Sequence, residues 1–266
     1  MNSYECQMCE LLKRGRELYG VVATKAEFEA EGTRTDELLR LLDIAHRAGV
    51  EIALKIGGCE AIRDMLEAKQ FGVRYIIAPM VETPYALSKY LKSISTVFAE
   101  EEKDEFVFLF NLETITAYNN FEEMIALASS SAECDGVVFG RVDFAGSLGI
   151  GRSGIESDEV TSRAEKAAAL CRDKGLEFVV GGAVSIDAIH NLHRVRKVHL
   201  NRFETRKVIF QGESLGNSAI EKGLKDAVHF ELLWLLNKRE YYGFIHREDD
   251  NRIAMLEARW KVLGNE

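Results

Sequence analysis

The stretch that decides the fold is FVFLFNLETITAYNNFEEMIALASSSAECDGVVFGRVD, residues 106–143. Two apolar runs, 106–113 and 135–143, flank a helical segment at 119–130. Apolar continuity, rather than alternation, indicates strands that are buried on both faces, as in a parallel sheet. The stretch therefore predicts one strand–helix–strand unit.

The same unit recurs along the chain. Glycine and charged residues separate further predicted strands at 19–25, 51–56, 73–79, 176–182 and 197–204 from helices at 33–49, 59–72, 83–94, 158–175 and 185–195. The alternation is typical of a (β/α)₈ TIM barrel or a doubly wound sheet, and the lack of GxGxxG after the first strand favours the barrel. The run RKVIFQ (206–211) follows strand seven without room for a helix. We expect the eighth strand either in the N-terminal segment or as part of one long bent strand.

We predict a single domain spanning 1–266, with an N-terminal helical segment at 1–17 and C-terminal helices at 217–266. The segment 217–260 is interpreted as two helices, with Trp234 and its neighbouring leucines forming a wide apolar surface. That surface either packs on the outside of the barrel or is exchanged with a neighbouring subunit. We expect a homo-oligomer, because large exposed apolar patches are unusual on monomers.

Composition limits the class of protein. The net charge of −9 and the pI of about 5.4 argue against nucleic acid or an anionic membrane as the main partner. The sequence has no apolar run of about 18 residues and no secretory signal. The odd number of cysteines, five, fits a reducing compartment, so a cytoplasmic protein is expected. The lone CxxC of Cys6 and Cys9 lies in a predicted helix and is interpreted as incidental.

Ionisable side chains concentrate where the predicted strands end, and functional residues of α/β barrels lie at that face. The candidates are Lys25, Glu27, Glu29, Glu31, Lys55, Glu82, Asn111, Glu113, Arg141, Asp143, Asn201, Arg202, Glu204 and Arg206. Two interpretations are open: salt bridges around the rim, or a metal site with cationic anchors. The concentration of charge beside very apolar strands favours the second, since buried charges are costly unless paired or metal-bound.

Glu113 and Asp143 form the best candidate metal pair, since each follows an apolar run on adjacent predicted strands. Hard cations such as Mg²⁺ or Mn²⁺ accept one or two carboxylates and keep positions open for substrate oxygens. A 2-oxo acid can fill two such positions, and the metal then stabilises an enolate. A histidine-type zinc site is not expected, because the sequence has no HxH or HExxH.

Four segments resemble the HpcH/HpaI aldolase/citrate lyase family of the phosphoenolpyruvate/pyruvate-domain superfamily. They are NLET (111–114), DGVVFGRVDFAGSLG (135–149), YIIAPMVETPYAL (75–87) and ALKIGGCEAIRDMLEAKQFG (53–72). The family shows Q-x-E-T at a strand end and G-P-x-D-L before S-L-G. The resemblance implies that Glu113 and Asp143 are metal ligands of a lyase or aldolase that forms or consumes pyruvate. It also implies an oligomer with an exchanged C-terminal helix.

The chain departs from the family pattern at several positions. Lys55 stands where the family has a substrate-anchoring Arg, Asn111 replaces Gln, and Arg141 replaces Pro. The stretch at 26–28 lacks the family's catalytic His. We therefore assign proton transfer to Lys25 or Glu27 and carboxylate anchoring to Lys55. Further substrate contacts are assigned to Glu82, Asn111, Arg141 and Arg202.

The leading hypothesis is a metal-dependent carbon–carbon lyase or aldolase acting on a 2-oxo acid or a related acyl substrate. Two alternatives stay open. One is a Schiff-base aldolase that uses Lys25 or Lys55, since a strand-end lysine in an apolar setting can attack a ketone. The other is a non-catalytic or divergent barrel that binds a small carboxylate, because a fold does not fix a function.

Overall fold

The computed structural model describes residues 1–264 and forms a closed barrel of eight strands that follow one another in chain order. The predicted TIM barrel is confirmed. The strands are β1 (Val21–Glu27), β2 (Glu51–Lys55), β3 (Tyr75–Ala78), β4 (Val107–Leu112), β5 (Gly136–Gly140), β6 (Glu177–Gly181), β7 (Arg202–Glu204) and β8 (Val208–Gln211).

Helices surround the barrel and connect its first seven strands. They are α1 (Ser3–Tyr19), α2 (Thr35–Ala48), α3 (Ile62–Phe71), α4 (Pro84–Val97), α5 (Ile115–Asn119), α6 (Phe121–Ser129), α7 (Arg141–Ser147), α8 (Asp158–Asp173), α9 (Ile189–Val198) and α10 (Ile220–Leu263). Left-handed glycines end α1 and α2, at Gly20 and Gly49, where a β-carbon is disfavoured. The predicted N-terminal helical segment is α1, which precedes β1.

The eighth strand differs from both arrangements that the sequence suggested. The run RKVIFQ supplies β8 as a separate strand, and it pairs antiparallel with both β7 and β1. A three-residue turn, 205–207, joins β7 to β8, and the Thr205 N–H donates to the Val208 carbonyl at 2.9 Å. A parallel strand needs a crossover of a dozen or more residues, so this short connection allows only a hairpin.

The barrel interior holds a compact apolar layer, to which seven of the strands each contribute one side chain. Its members are Ala23, Ala53, Ile77, Leu109, Val138, Val179 and Ile209. Residues two apart on a strand point to the same side. The inward side therefore continues from Ala23 to Lys25 and Glu27, and from Leu109 to Asn111 and Glu113. Charged residues follow the apolar layer directly, at the end of the barrel where the parallel strands finish.

The C-terminal segment is one helix of 44 residues, so the expectation of two helices is wrong. The segment has no proline, and Gly243, the helical glycine nearest its middle, costs only about 1 kcal/mol against alanine. The first part of α10 packs on α1 and the barrel and buries Phe230, Leu233 and Trp234. Residues 244–264 are exposed. The last two residues of the predicted segment, 265 and 266, lie outside the described residues.

Within residues 1–264, the helices lack the combination of length and apolar character that a bilayer crossing requires.

Candidate functional site

A cavity of about 390 Å³, open to solvent, lies at the end of the barrel where the parallel strands finish. Of the nine residues that were given a role from the sequence, six line it: Lys25, Glu27, Lys55, Asn111, Glu113 and Asp143. They come from β1, β2, β4 and the start of α7, and the barrel brings them together although they are spread over 119 positions of the chain. Three further candidates, Glu82, Arg141 and Arg202, are outside the residues that line the cavity.

Glu113 is the most deeply held carboxylate of this face, with 2% of its surface exposed. Its Oε1 accepts the Met80 N–H at 2.9 Å, and its Oε2 accepts the Asn111 amide at 2.7 Å. Gly140 on β5 leaves the necessary space, since a β-carbon there would stand 2.8 Å from the Glu113 Cβ. Burial raises the pKa of Glu113 above its usual range, although the Lys55 ammonium partly opposes the rise.

Two residues with unusual backbone conformations border the same cavity. Met80 and Ala183 both have φ near +50°, a region that side chains other than glycine rarely adopt. Met80 presents its N–H to Glu113 in this conformation. Such strain persists only where the surrounding structure enforces it, and it concentrates at functional sites. Its occurrence on two sides of one cavity is independent support for a functional face.

Asp143 reaches the cavity from a helix rather than from a strand end. Strand β5 ends at Gly140, and α7 begins at the next residue, so Asp143 lies in the first turn of α7. Its side chain is exposed and lines the cavity. Its negative charge contributes to the raised pKa of Glu113, after the larger effect of burial. The two carboxylates therefore line the same cavity.

Both candidate lysines are held by carboxylates. The Lys55 Nζ lies 3.2 Å from Glu29 Oε2 and 3.6 Å from Glu113 Oε2. The Lys25 Nζ lies 2.5 Å from Glu204 Oε1 and 3.4 Å from Glu27 Oε1. Burial alone would lower the pKa of each lysine. The neighbouring carboxylates have the larger combined effect, so both pKa values lie above the usual range. Both side chains are ammonium ions at neutral pH.

The structure does not bring three predicted contacts to this cavity. Glu82 accepts the Thr114 hydroxyl at 2.7 Å and stabilises the neighbouring loop. Arg141 is buried, pairs with Glu156 at 2.9 Å and donates to the Gly182 carbonyl, so it ties α7 to the loop after β6.

Arg202 begins β7 and therefore lies at the opposite end of the barrel from the cavity. It pairs there with Glu177, and its guanidinium lies 4.7 Å from the centre of the Tyr75 ring. Because the barrel separates Arg202 from the cavity, Arg202 cannot contact a substrate that is bound there.

Sequence reasoning missed Arg152, Thr205 and Glu231, and it gave Glu204 and Arg206 no role; all five line the cavity. Arg152 lies at the end of the glycine-rich run GSLGIGRSG (146–154). The position of that run after β5 was the only signal that its arginine could face the site. Glu231 comes from α10, and no local sequence pattern predicts that a distant helix borders the mouth of the barrel.

The lining suits a hard divalent cation. It contains six carboxylates and four cationic side chains, so two negative charges are in excess. Glu113 and Asp143 carry carboxylate oxygens, the ligand type that Mg²⁺ and Mn²⁺ prefer, and a pair of carboxylates would leave positions free for substrate and water. Asn111 Oδ1, beside Glu113, is buried without a hydrogen-bond partner, so an acceptor next to this carboxylate is unused. Within residues 1–264, no group of three or more His, Cys, Asp or Glu side chains is arranged around a metal position. The lining therefore fits a divalent cation held by two carboxylates, with its other positions open.

The fold and the site define an α/β barrel with a carboxylate-lined cavity, and comparisons with known proteins identify its family. The sequence model of the HpcH/HpaI aldolase/citrate lyase family matches residues 29–200. The match covers well over half of the chain, and the protein therefore belongs to this family. The resemblance first found in NLET (111–114) and DGVVFGRVDFAGSLG (135–149) is confirmed. No curated protein matches the chain.

Solved structures share the fold at low identity. An HpcH/HpaI aldolase from Desulfitobacterium hafniense is 15% identical with a TM-score of 0.59, over 75% of this chain and 82% of that one. An HpcH/HpaI aldolase/citrate lyase family protein from Burkholderia cenocepacia is 13% identical with a TM-score of 0.60, over 84% and 90%. The citrate synthase SbnG is 17% identical with a TM-score of 0.58, over 74% and 81%. These likenesses establish the barrel, and the chemistry is argued from the site.

Proposed function

We propose that this protein is a divalent-metal-dependent carbon–carbon lyase or aldolase that acts on a 2-oxo acid or a related acyl substrate. One observation carries the proposal: Glu113 and Asp143 face one cavity, beside Lys55, with two negative charges in excess. Membership of a family of aldolases and citrate lyases supports it. A bound Mg²⁺ or Mn²⁺ supplies Lewis-acid stabilisation of the negative charge that develops on a ketone oxygen.

The side chains around that position have separate tasks. Lys55 carries a fixed positive charge and can attract a substrate carboxylate, although it lacks the two-pronged geometry of an arginine. Met80 N–H and the Asn111 amide hold the Glu113 carboxylate in one orientation. Arg152 adds a second cation at the mouth of the cavity. An anionic substrate therefore meets positive charge on two sides.

The Schiff-base alternative is disfavoured by the state of the lysines. A nucleophilic lysine must lose its proton near neutral pH, and a raised pKa opposes that loss. The pKa values of Lys25 and Lys55 are raised, because neighbouring carboxylates outweigh burial. Borohydride treatment in the presence of pyruvate should leave the protein mass unchanged.

A specific observation keeps the binding-protein alternative open. All six histidines lie within the described part of the chain, and none of them lines the cavity. Proton transfer must therefore use lysine or carboxylate side chains, or be absent. In the second case the barrel binds a small carboxylate without turnover.

The test measures enolate chemistry directly. The protein is incubated with pyruvate in D₂O with Mn²⁺ or with a chelator, and exchange of the methyl protons is followed by NMR. Metal-dependent exchange, lost on chelation and in Glu113→Gln, is the expected result. Pyruvate binding by calorimetry without exchange would identify a binding protein, and exchange that survives chelation would exclude the metal-dependent mechanism.

A further inference from the structure

The cavity has two halves that come from different parts of the chain. Lys55, Asn111, Glu113 and Asp143 lie inside the segment 29–200 that matches the family. The opposite wall comes from outside that segment, from the end of β1, the β7–β8 hairpin and α10; its members are Lys25, Glu27, Glu204, Thr205, Arg206, Val228 and Glu231. The family match therefore assigns no role to the residues of this second wall.

Glu204 and Lys25 form the centre of the second wall. The Lys25 ammonium donates to Glu204 Oε1 at 2.5 Å, and both residues are buried. Gly181 on β6 leaves space for the carboxylate, since a β-carbon there would stand 2.8 Å from Glu204 Oε1. The space and the ion pair together fix the carboxylate at one position on the wall of the cavity.

The second oxygen of Glu204 has no partner. Among the described residues, only Glu204 Oε2 and Asn111 Oδ1 are buried side-chain polar atoms without a hydrogen bond, and both residues line this cavity. An unsatisfied buried acceptor costs about 1–3 kcal/mol, and more when it is charged. A 2-oxo acid offers only acceptors through its carboxylate and ketone. Glu204 Oε2 therefore requires a hydrogen-bond donor on another part of the ligand, such as a hydroxyl group.

The neighbouring side chains are less suited to take a proton from such a hydroxyl. Lys25 is already protonated, because the carboxylates of Glu204 and Glu27 outweigh the effect of burial on its pKa. Burial would raise the pKa of Glu27, but Lys25, Lys55 and Arg206 outweigh it and hold that pKa below the usual range. Glu27 thus holds a proton weakly and faces several cations, whereas Glu204 makes one salt bridge among the described residues, the one with Lys25.

We propose that Glu204 is the proton acceptor of the reaction, in place of the family's catalytic histidine, which is missing from the stretch at 26–28. The inference rests on the proposed function. In cleavage of a 4-hydroxy-2-oxo acid, the C4 hydroxyl proton passes to Glu204 Oε2 and the C4–O bond becomes a carbonyl. The C3–C4 bond breaks, and its electron pair forms the enolate of pyruvate. The enolate takes a proton from solvent and Glu204 returns its proton to solvent, so the products are an aldehyde and pyruvate.

The experiment compares two reactions of the full-length protein with Mn²⁺. One is cleavage of 4-hydroxy-2-oxopentanoate, which requires removal of a hydroxyl proton. The other is decarboxylation of oxaloacetate, which forms the same enolate with no hydroxyl proton to remove. We expect Glu204→Gln to lower kcat for cleavage about 100-fold or more, as is typical for loss of a general base, and to lower decarboxylation far less.

A second variant tests proton transfer rather than structure. Glu204→Ala leaves a space beside the Lys25 ammonium that formate can occupy, so added formate should restore part of the cleavage rate. The matched control is Glu213→Gln, which makes the same change on an exposed residue beyond the far end of β8. Both reactions of the control should match those of the parent.

The outcomes separate the two proposals. Equal loss of both reactions in Glu204→Gln, or cleavage at the parental rate, would overturn the role of Glu204 and leave the enolate chemistry standing. A parent protein that decarboxylates oxaloacetate but does not cleave the hydroxy acid would also overturn the role of Glu204 and leave the enolate chemistry standing. A parent that does neither would overturn the proposed function and, with it, the role of Glu204. Selective loss of cleavage with rescue by formate is the supporting result.

Discussion

Replacing the buried carboxylate of the cavity should make the metal-free protein more stable, not less. Burial raises the pKa of Glu113, so the charged form is less favourable in the folded state than in the unfolded state. Glu113→Gln removes that charge at nearly constant volume. The Met80 N–H keeps an acceptor, and rotation of the Asn111 amide lets its unpartnered Oδ1 accept from the new Gln amide. The loss of the 3.6 Å contact with Lys55 reduces the gain.

The expected size follows from these effects. In the presence of a chelator, we expect the free energy of unfolding to rise by about 1 kcal/mol, which is a typical gain when a buried charge at a functional site is removed. For a chain of this length, that corresponds to a rise of about 2–4 °C in Tm. Metal at 100 times its Kd should stabilise the parent by about 2.7 kcal/mol and should not stabilise the variant. The order of stability therefore reverses when metal is added.

The pH dependence has a definite sign. A carboxyl group with a raised pKa binds its proton more tightly in the folded state than in the unfolded state. Relative to Glu113→Gln, the metal-free parent should gain stability as pH falls through the folded-state pKa of Glu113, with the gain complete below the unfolded value. The difference between the two proteins isolates this group from other titrating carboxylates.

The assay is thermal unfolding at several pH values, in chelator and in Mn²⁺. Glu82→Gln is the matched control, because Glu82 hydrogen-bonds to Thr114 and does not line the cavity. It should keep the response to metal. A variant at 113 that is less stable than the parent in chelator, or that gains as much from Mn²⁺ as the parent, would refute the reasoning.

Three further predictions concern other parts of the molecule. Lys55→Met should raise KM for a 2-oxo acid at least tenfold while Lys55→Arg retains binding, and unchanged steady-state kinetics in Lys55→Met would remove Lys55 from the site. Arg141→Met should lower the free energy of unfolding by about 3 kcal/mol, because it leaves Glu156 and two carbonyls without their buried partner; urea denaturation measures this, and Mn²⁺ affinity should match that of the parent. We also predict a homo-oligomer with α10 at its interface, so Trp260→Glu, at a side chain that is 77% exposed, should weaken assembly in light scattering while the fold persists; a parent of about 30 kDa over a wide concentration range would exclude it.

The period of the strands explains which site residues the sequence could predict. Lys25, Glu27, Lys55, Asn111 and Glu113 follow inward apolar residues at spacings of two or four, so an apolar strand with a charged end locates them. For Trp234, by contrast, the sequence left open whether it packs on the barrel or on a neighbouring subunit, and the structure buries it within its own chain. The apolar face of a helix predicts that it packs, not what it packs against.

The misplaced residues fail for equally physical reasons. The predicted seventh strand, 197–204, put Arg202 near its end, but α9 continues to Val198 and β7 begins only at Arg202. Arg141 and Asp143 were both read as strand residues on one side. A helix begins at Arg141, and each helical residue rotates the side-chain direction by about 100° about the helix axis. The side chains of Arg141 and Asp143 therefore differ in direction by about 200° and point apart. Strand boundaries therefore limited the prediction of the site more than residue chemistry did.

The reversed eighth strand also sets the direction in which the chain leaves the barrel. Since β8 runs opposite to the other strands, it ends far from the cavity, and α10 must travel back toward the cavity along α1. It passes the rim, where Val228 and Glu231 border the cavity and Lys238 pairs with Glu37, and then extends about 30 Å beyond residue 243. The extension begins about 20 Å along α10 from Glu231, which borders the cavity. We therefore expect a large molecule bound to the first turns of the extension to reduce access to the cavity.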